Sequence, residues 1–215
     1  MTNSKYITID KKNNVKVKIG NHKIGFDTLI FSLSSATHCV NNLNGTCPYG
    51  KYGNNKCYAL KDERIYSKKD IDGNSIIVKA KDNQGKYWRS HNKEELLNTF
   101  KPIIEKYKLK YFRLNESGDL STKKDLEKLI YLANNLNITI YTYTHSKKLI
   151  AENKELLKNK PNNLIINGSE FMLDNNFTVI QKNETKPNML LCKMNCSICN
   201  YCKTGGHKTI CVIQH

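Results

Sequence analysis

The chain has no apolar run approaching the roughly 20 residues that a membrane-spanning helix needs. Met1 to Lys18 is polar and lysine-rich and lacks the apolar centre of a secretion signal, so the reading is a cytoplasmic protein without a membrane role. There is no GxGxxG and no Gly-rich loop of the P-loop type, which leaves nucleotide binding by those modes unsupported. Acidic side chains are scarce: 19 Asp and Glu stand against 35 Lys and Arg, a formal net charge of +16. Such a surplus attracts polyanions through counterion release, so nucleic acid is a partner that the charge suits. The lysines are nonetheless scattered among many asparagines, as an AT-rich genome would produce. Cysteine is missing from the whole middle of the chain, between Cys57 and Cys192.

What is present is organised around the cysteines at the two ends. Eight of them in a chain with no secretion signal argue against a disulfide framework and for metal binding. Cys39, Cys47 and Cys57 share a loop with Gly45, Pro48, Gly50 and Gly53 and little apolar material, so something other than hydrophobic burial must order it. A metal or iron–sulfur centre is the simplest candidate. Cys192, Cys196, Cys199, Cys202 and Cys211 crowd the C-terminal segment, with His207 and His215 nearby. Four thiolates close a structural zinc site and serve iron–sulfur clusters equally well, so ligand type leaves zinc and iron both open there. At the N-terminal set, three cysteines leave one iron of a four-iron cluster open to an outside ligand, whereas the same three with His38 close a zinc site.

With 215 residues, 39% of them hydrophobic, the chain can form one large domain or one domain with a small appendage. Alternation marks strands at Lys5 to Asp10, Val15 to Ile19 and Ile24 to Leu33, and YALKDERIY after Cys57 reads as a short helix. Asp70 to Gly85 is turn-rich and reads as an insertion, with IIVKA as a hairpin arm or edge strand. Helical periodicity covers Lys93 to Tyr107, where Pro102 predicts a kink or break. It recurs over Lys123 to Leu136, capped by Ser121 or Thr122, and over Lys147 to Lys158. Strands fall between, at Tyr111 to Leu114, Ile138 to Thr144, Leu164 to Asn167 and Phe177 to Gln181. This alternation predicts an α/β domain over residues 1–181, built as a partial (β/α) barrel or an open mainly parallel sheet. Residues 182–215 have little periodicity and read as a cysteine-rich, metal-binding tail packed on it.

In parallel α/β sheets the carboxyl ends of the strands converge on one face, and residues just past each strand line the site there. That gathers the cysteine loop, Asn115 to Asp119, Thr144 to Ser146 and Asn167 to Glu170. Glu116 and Asp119 suit an ammonium or a metal; alternatively Ser117 and Asp119 only cap the following helix. Arg113 sits on a strand destined for burial and needs a carboxylate or a bound anion. His145 fits a ligand or a base, or a plain surface residue. Tyr141 and Tyr143 make one strand face aromatic, which suits core packing. Trp88 and Arg89, near Tyr87 and His91, either stack on bases or anchor a helix start. The thiols group with each other and not with a His and an acid, so nucleophilic catalysis by cysteine is the less attractive chemistry.

Taken together, FSLSSATHC, Cys57-Tyr58-Ala59, YFRLNESGDLS, YTYTHS and the terminal C-x2-C-x2-C with a closing His resemble the phage-encoded gene product eighty-eight family, over most of residues 24–215. That resemblance implies an architecture more than an activity, and a location in the host cytoplasm. The order of parts is also similar to the radical S-adenosylmethionine enzymes, which carry three cluster cysteines after the first barrel strand and a Gly-Gly-Glu-like turn after the second. This second resemblance implies that Cys39, Cys47 and Cys57 hold an iron–sulfur cluster of the four-iron type. It implies too that Glu116, Ser117, Gly118 and Asp119, with Tyr58 beside the last cysteine, meet S-adenosylmethionine. The spacing departs from C-x3-C-x2-C, and Tyr58 follows the last cysteine where the family's aromatic precedes it. The C-terminal cysteines would hold an auxiliary cluster or zinc. The leading expectation is therefore an iron–sulfur protein acting on nucleic acid or its precursors; the alternative is a zinc-stabilised, nucleic-acid-binding accessory protein without catalysis.

Overall fold

The computed structural model describes residues 4–51, 53, 56–184 and 189–213; His215 lies outside them. Three strands open the chain, β1 (Lys5–Asp10), β2 (Val15–Ile19) and β3 (Thr28–Phe31). Four helices follow: α1 (Val40–Leu43), α2 (Tyr58–Ile65), α3 (Ile76–Ser90) and α4 (Lys93–Lys106). Then come β4 (Tyr111–Leu114), α5 (Lys123–Asn135), β5 (Thr139–Thr144), α6 (Lys147–Glu152), α7 (Lys154–Lys158), β6 (Leu164–Ser169) and β7 (Asn175–Ile180). The chain closes with β8 (Met189–Leu191) and β9 (Lys208–Ile213). All nine strands form one sheet in the order β1-β2-β3-β4-β5-β6-β7-β9-β8, antiparallel at β1-β2-β3 and parallel from β3 onward. The fold is mixed α/β with a largely parallel sheet.

The side chains of each strand alternate between two faces, and the two faces differ in kind. Leu29, Phe31, Phe112, Leu114, Ile140, Leu164 and Ile166 all enter one core with Trp88, Phe100, Leu126, Leu129 and Leu132 from the helices. Tyr111, Arg113, Tyr141, Tyr143 and Asn167 alternate with them and turn to the opposite face, which no long helix of the described residues covers. Winding β3, β4, β5 and β6 in sequential order puts the crossover helices on one side, since parallel crossovers are right-handed. The other side is left to the C-terminal segment.

Three readings of the sequence change. The run IIVKA opens helix α3 instead of a hairpin arm, because Ser75 caps it, accepting from the Val78 amide at 3.5 Å, and Trp88 near its end is buried in the core. Pro102 sits inside an unbroken α4, whose start is fixed by a capping box between Asn92 and Glu95. The helix expected over 147–158 is two short ones, divided at Asn153, whose side-chain Nδ2 donates to the Leu149 carbonyl at 2.8 Å. Thr122 is the cap of α5, paired with Asp125. The tail is less irregular than its composition suggests, since β9 pairs with β7 along six residues and β8 pairs with β9. Between β6 and β7 the link is only residues 170–174, too short for a helix; β7 begins level with Asn167, so the chain steps back two positions instead of crossing the sheet.

Candidate functional site

Polar side chains order the glycine-rich cysteine loop. Asn42 donates to the Ala36 carbonyl at 2.8 Å and accepts from the Lys51 amide at 2.5 Å, and the Asn41 carbonyl receives the Thr46 and Cys47 amides, each at 3.0 Å. Glu63 of α2, 5% exposed, accepts from the Ala36 amide at 2.7 Å, from the Thr37 amide and hydroxyl at 3.1 and 3.0 Å, and from Lys81 Nζ at 3.1 Å. A buried carboxylate is tolerable only with such a set of donors. The sequence reading passed over Glu63, Asn41 and Asn42. The acid pair Asp62-Glu63 inside a short helix, followed by a lysine-rich segment, was the available signal.

The ordered loop lies across the carboxyl ends of the parallel strands. Asn41 Nδ2 donates to Asp119 Oδ2 at 2.7 Å and to Ser146 Oγ at 2.9 Å. Tyr49 donates its hydroxyl to Glu170, beyond β6, and its ring meets the His145 ring edge-on at 5.7 Å. Tyr58, though 55% exposed, turns its hydroxyl inward to the Glu116 carbonyl at 2.6 Å and accepts from Arg113 Nη2 at 3.2 Å; burial of that end pushes its pKa up to about 12. The cysteine loop, the β4 end, the β5 end and the β6 end are thus brought together, as parallel topology predicts.

Asp119 is the hub of this junction. Besides Asn41, it accepts from the Leu120 amide at 2.7 Å and the His145 amide at 2.8 Å, while burial pushes its carboxyl up to about 6 against the pull of these donors. It does not cap α5; it holds the β5 end and the cysteine loop. Glu116 pairs with Lys18 Nζ at 3.2 Å, an ion pair with both side chains partly open to solvent. Ser117 is buried, with its carbonyl taking the Leu33 amide at 2.9 Å. Gly118 has φ +83°, and a Cβ there would stand 2.5 Å from the Ser34 amide nitrogen, so the turn depends on glycine.

The cysteines fall into two separate groups. Burial pushes the Cys39 thiol up to about 12, with Asp119 and Cys47 adding to it, and burial likewise raises Cys47, with Cys57 and Asp119 contributing. Asp119 thus acts on both Cys39 and Cys47, and Cys57 acts on Cys47. Cys192, Cys196, Cys199 and Cys202 line one cavity of about 10 Å³ together with Tyr141, Tyr143, Tyr201, Lys203 and Ile210. Burial pushes Cys202 up to about 12 and raises Cys196. Neutral buried thiols are poor nucleophiles; they become ligands only with a cation that displaces their protons. Among the described residues no three His, Cys, Asp or Glu side chains are already drawn to metal-ligand spacing. Cys211 differs from the other four. Its neighbour Ile210 lines the cavity, so Cys211 alternates to the sheet's other face, fully buried.

The remaining candidates sort by contact. His38 Nδ1 is bound to Asp82 at 2.6 Å. His145 is largely buried, its Nε2 has no hydrogen-bond partner among the described residues, and burial lowers its pKa. Arg113 lies with its guanidinium 5.4 Å over the Tyr143 ring, and its Nε has no hydrogen-bond partner among the described residues. Trp88 cannot stack on bases: it is 1% exposed and donates its indole N–H to Asp125 at 2.8 Å, because the α3 face that carries it packs into the core. Arg89 bonds the Leu33 carbonyl at 3.1 Å. No helix among the described residues is long and apolar enough to cross a membrane.

A family model described as Gene product 88 matches residues 4–205. No curated protein and no solved structure matches.

Proposed function

The chain belongs to the Gene product 88 family, and on that premise we propose that it is a metal–thiolate protein with two centres of different kinds. The tail centre is a single ion, zinc by the size of its cavity, held by Cys192, Cys196, Cys199 and Cys202. The second is an iron–sulfur centre of the radical S-adenosylmethionine type, held by Cys39, Cys47 and Cys57 over the strand ends. The observation that carries this reading is that four thiols line one cavity of about 10 Å³. That volume suits one ion, and a closed set of four sulfurs is the composition of a structural zinc site.

The N-terminal centre rests on placement. The loop that carries the three thiols lies across the strand ends, where parallel sheets build active sites, and a three-cysteine set leaves room for an outside ligand. A reduced cluster there would supply an electron to a bound sulfonium cofactor. Asp119 holds the loop in place. Glu116 is the acid better placed for a ligand's ammonium group, since its partner Lys18 is a partly solvated side chain that another cation can displace. Tyr58 and Ser117 fix the turn that carries Glu116.

Purification without oxygen, followed by iron, sulfide and zinc analysis, tests the proposal. It expects iron with sulfide, together with one zinc per chain that the tail cysteines retain. A colourless protein containing zinc alone removes the iron–sulfur centre, and a reduced cluster that leaves S-adenosylmethionine intact removes the enzyme class. The net charge of +16 favours a second reading, in which the zinc-closed tail stabilises a nucleic-acid-binding phage protein of the host cytoplasm. Its signature is binding that weakens steeply with salt, and a flat salt response counts against it.

A further inference from the structure

We propose that Lys203 and Arg113 are the charge-compensating residues of the tail centre, one buried and one half-buried cation that make a four-thiolate shell tenable on this face of the sheet. The inference rests on the tail reading given above and adds two positioning residues to it.

Lys203 follows Cys202 directly in the short 3-10 turn Tyr201–Lys203, and it is 5% exposed. Its ammonium donates to the Cys196 carbonyl at 2.9 Å and lies 3.9 Å over the Tyr111 ring. Arg113 reaches the same place from β4. Its guanidinium lies over Tyr143, which lines the tail cavity with Cys202, and its one hydrogen bond among the described residues runs to the neutral Tyr58 hydroxyl. Neither cation forms an ion pair within 4 Å among the described residues. Asp27 acts on Lys203 only from beyond that distance.

Lysine and arginine are almost never buried without an anion, since an unpaired buried charge is strongly unfavourable. Asp27 acts on Lys203 alone, and Glu116, itself paired with Lys18, acts on Arg113. The groups that act on both cations are the cysteines, with Cys196, Cys199 and Cys202 beside Lys203 and Cys196 and Cys202 beside Arg113. When a divalent ion displaces the four thiol protons to solvent, the ion and its four thiolates carry two formal negative charges. Two cations balance them. The aromatic faces of Tyr111 and Tyr143 hold those cations in place in the meantime.

The test uses the full chain loaded with zinc, reading zinc content per chain and the rate of zinc release to an excess of a chromophoric chelator. A Cys199→Ser variant identifies the tail ion. Lys203→Met and Arg113→Met are expected to lose that zinc about 10- to 100-fold faster than the parent, the range found when groups supporting metal ligands are removed. Lys203→Arg restores the slow rate, because charge and not packing is required. If Lys203→Met and Arg113→Met, folded by circular dichroism, release zinc at the parent rate, the inference is overturned while the tail site stands. If Lys203→Met fails to fold, Arg113→Met alone decides by the same criterion. If the parent holds no zinc that Cys199→Ser abolishes, the tail reading itself fails.

Discussion

Asn41 and Asp119, far apart in the chain, are joined by a hydrogen bond of 2.7 Å, and this bond ties the cysteine loop to the end of β4. The same carboxylate takes the amides of Leu120 and His145, so one acid sets the relative position of three segments. The proposed N-terminal centre depends on that junction.

Asp119→Asn turns one acceptor atom toward groups that are themselves donors. It is expected to cost about 1–3 kcal/mol, the penalty for leaving buried donors unpaired. The pH response gives a second check. Burial raises this carboxyl from 3.8 to about 6, so the unfolded chain gives up its proton first as pH rises. The contribution is fully present below about pH 4 and lost by about pH 6. Urea unfolding of the metal-free chain across that window should show stability falling with rising pH in the parent, and this component should be missing in Asp119→Asn.

Glu63 is buried with Lys81 at 3.1 Å and takes two backbone amides at the entrance of the cysteine loop. Removing one member of a buried ion pair typically costs about 3–5 kcal/mol. Glu63→Ala should therefore lower the urea midpoint sharply, and hydrogen exchange at Ala36 and Thr37 should accelerate more than in the core strands. Unchanged exchange at those two amides would show that the loop is held by something else.

Gly85 lies inside α3, where alanine is ordinarily better than glycine by about 1 kcal/mol. Here a Cβ would stand 2.0 Å from the Leu33 carbonyl oxygen, because the helix presses on the chain leaving β3. Gly85→Ala is expected to destabilise by about 1–3 kcal/mol, the scale of overpacking. A melting temperature equal to or above the parent's would mean the contact is looser than described.

Cys211 faces away from the cavity that the other four tail cysteines line. Cys211→Ala should leave zinc content and release rate unchanged, whereas serine at position 192, 196, 199 or 202 should lower zinc retention. Mass spectrometry of the intact chain under native conditions reads both outcomes.

Much of the sheet was legible because its signals are local. Alternation at β1, β2, β4 and β5 and the helical period of α4 and α5 depend only on neighbouring residues, and the structure keeps them. The α3 helix was not legible: Ile76, Ile77 and Val78 favour strands, and what outweighs them is Ser75 capping and the burial of Trp88 further along. The gathering of the strand ends followed from parallel topology. The roles of Glu63 and Asn41 did not, since each depends on partners far along the chain, such as Lys81 and Asp119. For the same reason Cys211 read as one more ligand, because only the register of β9 sets it on the opposite face.

The most direct measurement is X-ray absorption at the zinc edge on the anaerobically purified full chain. The account predicts a first shell of four sulfurs at about 2.3 Å, lost when Cys196 and Cys199 are replaced by serine. A first shell of nitrogen and oxygen, or a protein that carries no zinc when grown with ample metal, would contradict it.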